Sequence, residues 1–598
     1  GNIDLGWSIR QHESEFRGKL IDTPGADELP EEDDVESDDD GGSTDDATSG
    51  TEEVEPAAPT PGGGSGDAGG AAASGGETQT TSGTAAVESE ASDVSVSIDE
   101  LDRTAIGDID DLVGEPVLVE GSVVEARQTS GPTVFEVRDE TGTVDCAAFE
   151  SAGVRAYPDI GTGDIACFAG VVEERRGDLQ IETEDATALE GEDAETVERR
   201  LEDAIEARAT PEEVDLLADH EGVASVRDGI VEAATAIRRA IVESRPVVLR
   251  HNATVDGYAA AAAIERAAIP LVREEHETED ATYHYVSRRP LDGRIYGMRD
   301  AIRDATNMLD AEERHDEPTP LFVFVNAGST AESEDGFALL DAYGADRVVI
   351  DAAYPDAEME AAASVFVSPH LAQSADAESV TTTALGANVA AHVSDDARAE
   401  VSHLPAVSYW HDVPDVYSDL ASETGYDGDR VSTVREAIAL EAFYGTYDDK
   451  RELVSDLLFG ERDLAEHASE QFRERVDDER STAEPHLRHH EANGTAVGVL
   501  DVDAFTNTYD FPPTETLLSE LTVRNDDLAA VIGIDEDRLL ATGDVTIDMR
   551  EGGKRVADAV PEGGVETRGG RDGRLVFLTG EREAVVAAAV DAVSDQVA

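Results

Sequence analysis

The chain has 598 residues, with 134 Asp and Glu against 45 Lys and Arg, a formal net charge of −89 and 5% aromatics. That length exceeds what one hydrophobic core usually organises, so several domains are expected, and repulsion on this scale destabilises a compact fold unless molar salt shortens the Debye length to about 3 Å. Cys146 and Cys167, the two cysteines, lack CxxC spacing and exclude a disulfide scaffold; no apolar run reaches membrane-span length and no signal peptide is visible, so a cytoplasmic protein without a membrane partner is expected.

The acid is spread along the whole chain, and Lys occurs only at Lys19, Lys450 and Lys554. Small Ala and Val dominate the apolar set. Together these features read as adaptation to a salt-saturated cytosol. A disordered acidic chain is the alternative, and the strand and helix periodicity of the later segments argues against it.

In chain order, residues 1–23 open on a strand-like run ending at Trp7, read as the remnant of a β domain cut or processed at its start. Residues 24–94 are Asp, Glu, Gly, Ser, Thr, Ala and Pro with no cation. Such a stretch cannot bury enough apolar surface to offset its chain entropy, and it reads as a disordered acidic tether. Residues 95–192 carry short alternating strands at 117–124, 133–139, 142–149, 165–173 and 178–181, separated by Gly-marked turns, which predict a small barrel. The helical spacing of Val197, Leu201, Ile205, Val226 and Ile230 makes 193–244 a helical connector. From 245 to 480 continuous apolar runs at 246–250, 321–325 and 347–350 alternate with helical stretches, including an Ala-rich one at 258–267. They indicate a parallel sheet covered on both faces. A further α/β unit spans 481–598, with strands at 496–501 and 528–534 and a final helix from Glu581. His489 and His490 fall in an Arg- and Glu-rich stretch read as helical and exposed.

The barrel's strand order, with Phe135 and Phe149 on its second and third strands, resembles an OB-fold of the nucleic-acid-binding type, in which aromatics on those strands stack on bases. Each ring can equally fill the barrel core. In the parallel-sheet region the chemistry is expected at the carboxyl ends of the strands. The first strand runs into His251, Thr254, Asp256 and Gly257; the second into Asn326, Ala327, Gly328 and Ser329; the third into Asp351, Ala352, Ala353 and Tyr354. Their order and strand context resemble the DHH phosphoesterase family, over roughly residues 246–598. The subgroup most similar is the archaeal RecJ-like proteins with an OB module, here from a halophilic archaeon. The resemblance extends to a C-terminal DHH-associated domain, whose Gly-rich turn Arg568, Gly569, Gly570, Arg571 is then a nucleic-acid contact.

The departures from that family bear on function. A two-metal phosphoesterase needs carboxylates and imidazoles converging on two cations about 3.5–4 Å apart. His251, Asp256 and Asp351 retain the family's residue types, and His403 and Asp412 are looser candidates for a fourth ligand region. Thr254 and Asn326 stand where the family has Asp, and Ala352 and Ala353 where it has His. The retained residues also have structural readings: the Asp256–Gly257 pair as a cap of the following helix, Asp351 with Pro355 as turn chemistry. The resemblance therefore implies a degenerate RecJ-like protein binding single-stranded DNA or RNA, with no cofactor and little or no nuclease activity. It also implies partners such as the GINS complex or an active DHH homologue. The rival implied reading is a manganese- or magnesium-dependent 5′–3′ single-strand exonuclease, and a third is a regulatory subunit of an active homologue.

Overall fold

The computed structural model describes residues 97–98 and 101–598, apart from 130, 150–153, 176, 213–214, 277–280, 316, 446–449, 461, 508–509, 526 and 544. The N-terminal strand remnant and the acidic tether lie outside the described residues. The first unit among the described residues is a closed barrel of β1 (Pro116–Gln128), β2 (Thr133–Arg138), β3 (Thr143–Ala148), β4 (Ile165–Arg175) and β5 (Asp178–Ala188), in spatial order β1-β2-β3-β5-β4. β3 and β5 pair in parallel and the other neighbours antiparallel. Alternate residues of each strand point inward, and Val119, Val123, Phe135, Val137, Cys146, Phe168 and Ile181 form one core. Cys146 and Cys167 are both buried and unpaired, and burial pushes the Cys146 thiol up, away from reactivity.

Helices α1 (Glu192–Ala209) and α2 (Arg227–Val242) connect the barrel to a five-stranded, fully parallel sheet. Its strands are β6 (Val247–Asn252), β7 (Val286–Leu291), β8 (Leu321–Val325), β9 (Arg347–Ile350) and β10 (Val365–Val367), in order β10-β9-β8-β6-β7. Period-two alternation divides the buried residues between two cores. Val247, Leu249, Leu321, Val323 and Val325 face α2, α3 (Val255–Glu275) and, beyond β10, α5 (Thr382–Val393). Val248, Phe322 and Phe324 face the other side, where α4 (Met298–His315) packs. The Ala run 259–263 of α3 is fully buried because α5 approaches closely: a Cβ on Gly386 would lie 2.8 Å from that of Ala260.

Two strands of this sheet are absent from the sequence reading. β7 carries Arg288 and Arg289, which disguise it as a loop. In the fold Arg288 is buried against Glu265 of α3 at 2.9 Å, and Arg250 of β6 against Asp304 of α4 at 3.2 Å, so the charges are neutralised across the layers. β10 has three residues, too few to show periodicity.

Past helices α6 (Gly428–Tyr444) and α7 (Arg462–Ala483), the chain ends in a six-stranded mixed sheet. It comprises β11 (Arg488–Ala492), β12 (Thr495–Asp501), β13 (Ala530–Ile534), β14 (Arg538–Gly543), β15 (Glu566–Arg568) and β16 (Arg574–Val576), with α8 (Thr514–Arg524) on one face and α9 (Met549–Ala559) and α10 (Arg582–Ser594) on the other. His489 and His490 lie on the exposed strand β11, a correction to the helical reading; an edge strand open to solvent tolerates the polar pattern that suggested a helix.

Candidate nucleic-acid interface and strand-end site

The two barrel phenylalanines separate. Phe135 is 0% exposed, its ring 5.3 Å from that of Phe168, and it belongs to the core, which removes it as a stacking residue. Phe149, one residue beyond β3, is 63% exposed. The outer face beside it is acidic. Glu125, Glu136 and Asp145 line up across β1, β2 and β3, and Arg127 bridges Glu125 at 2.8 Å and Asp145 at 2.7 Å. Burial first, and then the neighbouring carboxylates, push the Glu136 carboxyl up; burial also raises Asp145, against the pull of Arg127. Such a face repels phosphate, so it offers a base a ring to stack on more readily than it offers a backbone a cation.

At the carboxyl end of the parallel sheet the motif residues converge on one another. Thr254 caps α3, its hydroxyl accepting from the Gly257 N–H at 3.2 Å. Gly257 is required there, because a Cβ would fall 2.1 Å from the Asn252 carbonyl oxygen. Asp256 caps a different helix from the one its position suggests. Its carboxylate accepts from the backbone N–H groups of Thr382 (3.1 Å) and Thr383 (2.6 Å) and from the Thr383 hydroxyl (2.6 Å), at the start of α5. Burial pushes the Asp256 carboxyl up, opposed by those donors and by Arg294.

Asn326 ends β8 with φ +55° and is buried. Its amide donates to Thr254 at 3.0 Å, and its oxygen accepts from Arg294 at 3.2 Å and from the Thr382 hydroxyl at 3.4 Å. Asp351, wholly buried at the end of β9, accepts from the Ser329 hydroxyl at 2.6 Å and from the Ala353 N–H at 3.0 Å, the turn chemistry expected of it. Ala352 contributes only its backbone N–H, donated to Thr382 at 3.1 Å. The His251 ring is buried, donates from Nδ1 to the Asn252 carbonyl at 3.1 Å and leaves Nε2 without a hydrogen-bond partner. Burial, then Arg288, holds its pKa down at about 3, so the ring is neutral.

His403 and Asp412 do not join this cluster. The His403 ring is buried against Tyr426, 3.7 Å between centroids, and Nε2 donates to the Leu458 carbonyl at 2.9 Å; its role is packing. Asp412 is exposed at φ +50°.

The Gly-rich turn of the C-terminal unit meets the strand-end site with its donors already engaged. The Gly569 N–H donates to Glu332 at 2.9 Å, Arg571 pairs with Glu378 at 2.8 Å and Asp548 at 3.2 Å, and Arg568 pairs with Glu566 at 2.7 Å. Gly569 and Gly570 have φ +83° and +73°, values an L side chain resists. Beside them Arg550 forks onto Asp356. The residues the motif reading missed are Arg294, Thr382, Thr383 and Arg550. A signal existed for two of them: the Thr381–Thr383 run ahead of an apolar helix has the composition of a helix start.

As a site for two divalent cations the donor set does not fit. Thr254 and Asn326 offer neutral oxygens, Ala352 and Ala353 offer no side-chain lone pair, and Arg294 brings a positive charge to Asn326, which leaves Asp256, Asp351 and the unpartnered His251 Nε2 as too few ligands for two cations. Among the described residues no group of three or more His, Cys, Asp or Glu converges as metal ligands would. Nor, among them, is any helix long and apolar enough to cross a membrane.

Comparison with known proteins agrees with this architecture. Residues 117–189 match the family profile described as an OB-fold nucleic acid binding domain of the tRNA anticodon type. The uncharacterized protein MJ1198 of Methanocaldococcus jannaschii is 29% identical over 428 residues, 66% of this chain, and the chain spans 56% of that relative's length. A solved structure of the DHH domain of a member of the s1p family of ribosomal proteins is 27% identical, with TM-score 0.63, over 67% of this chain and 98% of that one. RecJ from Thermus thermophilus, solved with manganese, is a remote likeness: 14% identical, TM-score 0.42, over 64% of this chain and 56% of that one. The chain is thus similar to an OB-fold nucleic acid binding domain over residues 117–189 and to a solved DHH domain over two thirds of its length.

Proposed function

We propose that the protein binds single-stranded nucleic acid through its OB module and uses its DHH unit as a scaffold, with little or no nuclease activity, in a salt-saturated archaeal cytoplasm. The observation that carries this reading is what the strand-end residues do for the chain itself: Asp256 serves the N-terminus of α5, Asp351 serves Ser329 and Ala353, and Arg294 donates to Asn326 with both carboxylates acting on it electrostatically. An activated hydroxide for in-line attack on a phosphodiester needs metal-bound water, and Thr254, Asn326, Ala352 and Ala353 bring neither a carboxylate nor an imidazole to the strand ends. On the barrel, Phe149 supplies the exposed ring, and stacking outlasts phosphate contacts in high salt.

The test is degradation of 5′-labelled single-stranded DNA in molar potassium chloride with manganese, wild type against the Asp256→Ala/Asp351→Ala double variant. Equal inactivity with oligonucleotide binding retained supports the scaffold role. Robust wild-type degradation, abolished in the double variant, replaces it with the manganese- or magnesium-dependent exonuclease. Association with GINS or with an active DHH homologue belongs to the same proposal, and a pull-down in molar salt with each as bait tests it.

A further inference from the structure

We propose that Arg294 is a resident cation standing in for divalent metal at the strand-end site, and that its charge keeps metal out. Arg294 lies in the loop after β7, a segment no motif marks. Its backbone carbonyl accepts from the Gly328 N–H at 2.9 Å, which fixes the loop against the turn that follows β8. From there the side chain reaches across the sheet end: one guanidinium nitrogen donates to the Asn326 oxygen at 3.2 Å, and another pairs with Asp572 of the Gly-rich turn at 3.4 Å. Asp351 and Asp256, the two anions of the strand ends, and Asp572 act electrostatically on the same group.

The side chains around Arg294 are those a single monovalent cation requires. Asn326 presents its oxygen to the guanidinium because its nitrogen is committed to Thr254. Thr254 in turn presents a neutral hydroxyl where a third carboxylate would leave the negative charge in excess. A guanidinium supplies fixed N–H donors and remains charged at any physiological pH. A divalent ion held by Asp256 and Asp351 would meet the like charge of Arg294, on which both carboxylates already act. Arg294 also does something a metal ion in the sheet would not: through Asp572 it joins the C-terminal unit to the strand ends directly.

The experiment measures manganese uptake by the full chain in molar potassium chloride, from the loss of the free-ion EPR signal. Wild type, Arg294→Lys and Arg294→Gln are each compared with the same protein carrying Asp351→Asn, which subtracts manganese held by the acidic surface. Wild type and Arg294→Lys, which keep the charge, should show no Asp351-dependent uptake. Arg294→Gln should bind manganese in an Asp351-dependent manner, tighter than wild type by at least about tenfold. Asp351-dependent uptake by wild type overturns the proposal. So does a folded Arg294→Gln that takes up no more than wild type. If Arg294→Gln does not fold, wild type and Arg294→Lys decide: Asp351-dependent uptake by either overturns the proposal, and its absence from both supports it. Oligonucleotide binding by the barrel is measured separately, so failure here is distinguishable from failure of the scaffold reading.

Discussion

The OB barrel and the strand-end site treat their functional-looking residues in opposite ways. The barrel leaves Phe149 63% exposed, while the sheet end encloses Asp256, Asn326 and Asp351 in hydrogen bonds with the chain's own groups and leaves only the Nε2 of the buried His251 over. A surface that binds a ligand keeps some group in reserve for it. A site whose donors and acceptors are mutually engaged has already used their interaction energy to hold the fold. The difference is the basis of the proposed division, recognition by the barrel and support by the parallel-sheet unit.

The largest expected effect concerns the molecule as a whole. Dilution from molar salt should abolish the near-UV circular dichroism of both regions cooperatively, because the charge of −89 is chain-wide; full native signal in dilute buffer would contradict adaptation to salt. Next come the paired phenylalanines. Phe135→Ala should lower stability by about 3–5 kcal/mol, the cost of a cavity in a packed core, read by denaturant melts in molar salt. Asp351→Ala should cost about 3 kcal/mol by orphaning the Ser329 hydroxyl and the Ala353 N–H and leaving Arg294 under-compensated, with oligonucleotide affinity unchanged. A loss of affinity in that variant would break the division between the two regions.

Phe149→Ala should do the reverse, leaving the melt unchanged and weakening single-stranded oligonucleotide binding by about 1–3 kcal/mol in fluorescence anisotropy. Unchanged affinity would remove the ring as the recognition element. The last effect is a proton. Burial, the first cause, holds the His403 pKa down at about 4 from the ordinary 6.5. The unfolded chain therefore takes the proton first as pH falls, and stability present above pH 6.5 is lost toward pH 4, by up to about 1.4 kcal/mol per pH unit. His403→Gln should flatten that slope relative to wild type; an identical slope would return His403 to the list of accessible imidazoles.

Several elements were legible from residue order alone. β8 and β9 occupy 321–325 and 347–350 as read, because strands buried on both faces show as near-continuous apolar runs. The barrel strands were legible through alternation and Gly-marked turns. β7 was hidden, because periodicity counts Arg288 and Arg289 as exposed while the fold neutralises Arg288 with Glu265 of α3 and Arg289 with Asp304 of α4.

What the strand-end residues do was decided by tertiary structure. Local pattern places Asp256 in the first turn of α3 and suggests that it caps that helix. It caps α5 instead, 126 positions away from Thr382, because helix packing brings that N-terminus to the sheet end. Phe135 and Phe149 carry the same side chain on the same barrel, and inward or outward direction along the strands made one of them core and left the other in solvent. Arg294 has no motif, cap or period to mark it, and its role exists only where the ends of β6, β8 and β9 meet the Gly-rich turn. Sequence determines a side chain's chemistry and its local periodicity. Whether a charge is free or already answered depends on partners far along the chain, and only the folded structure supplies them.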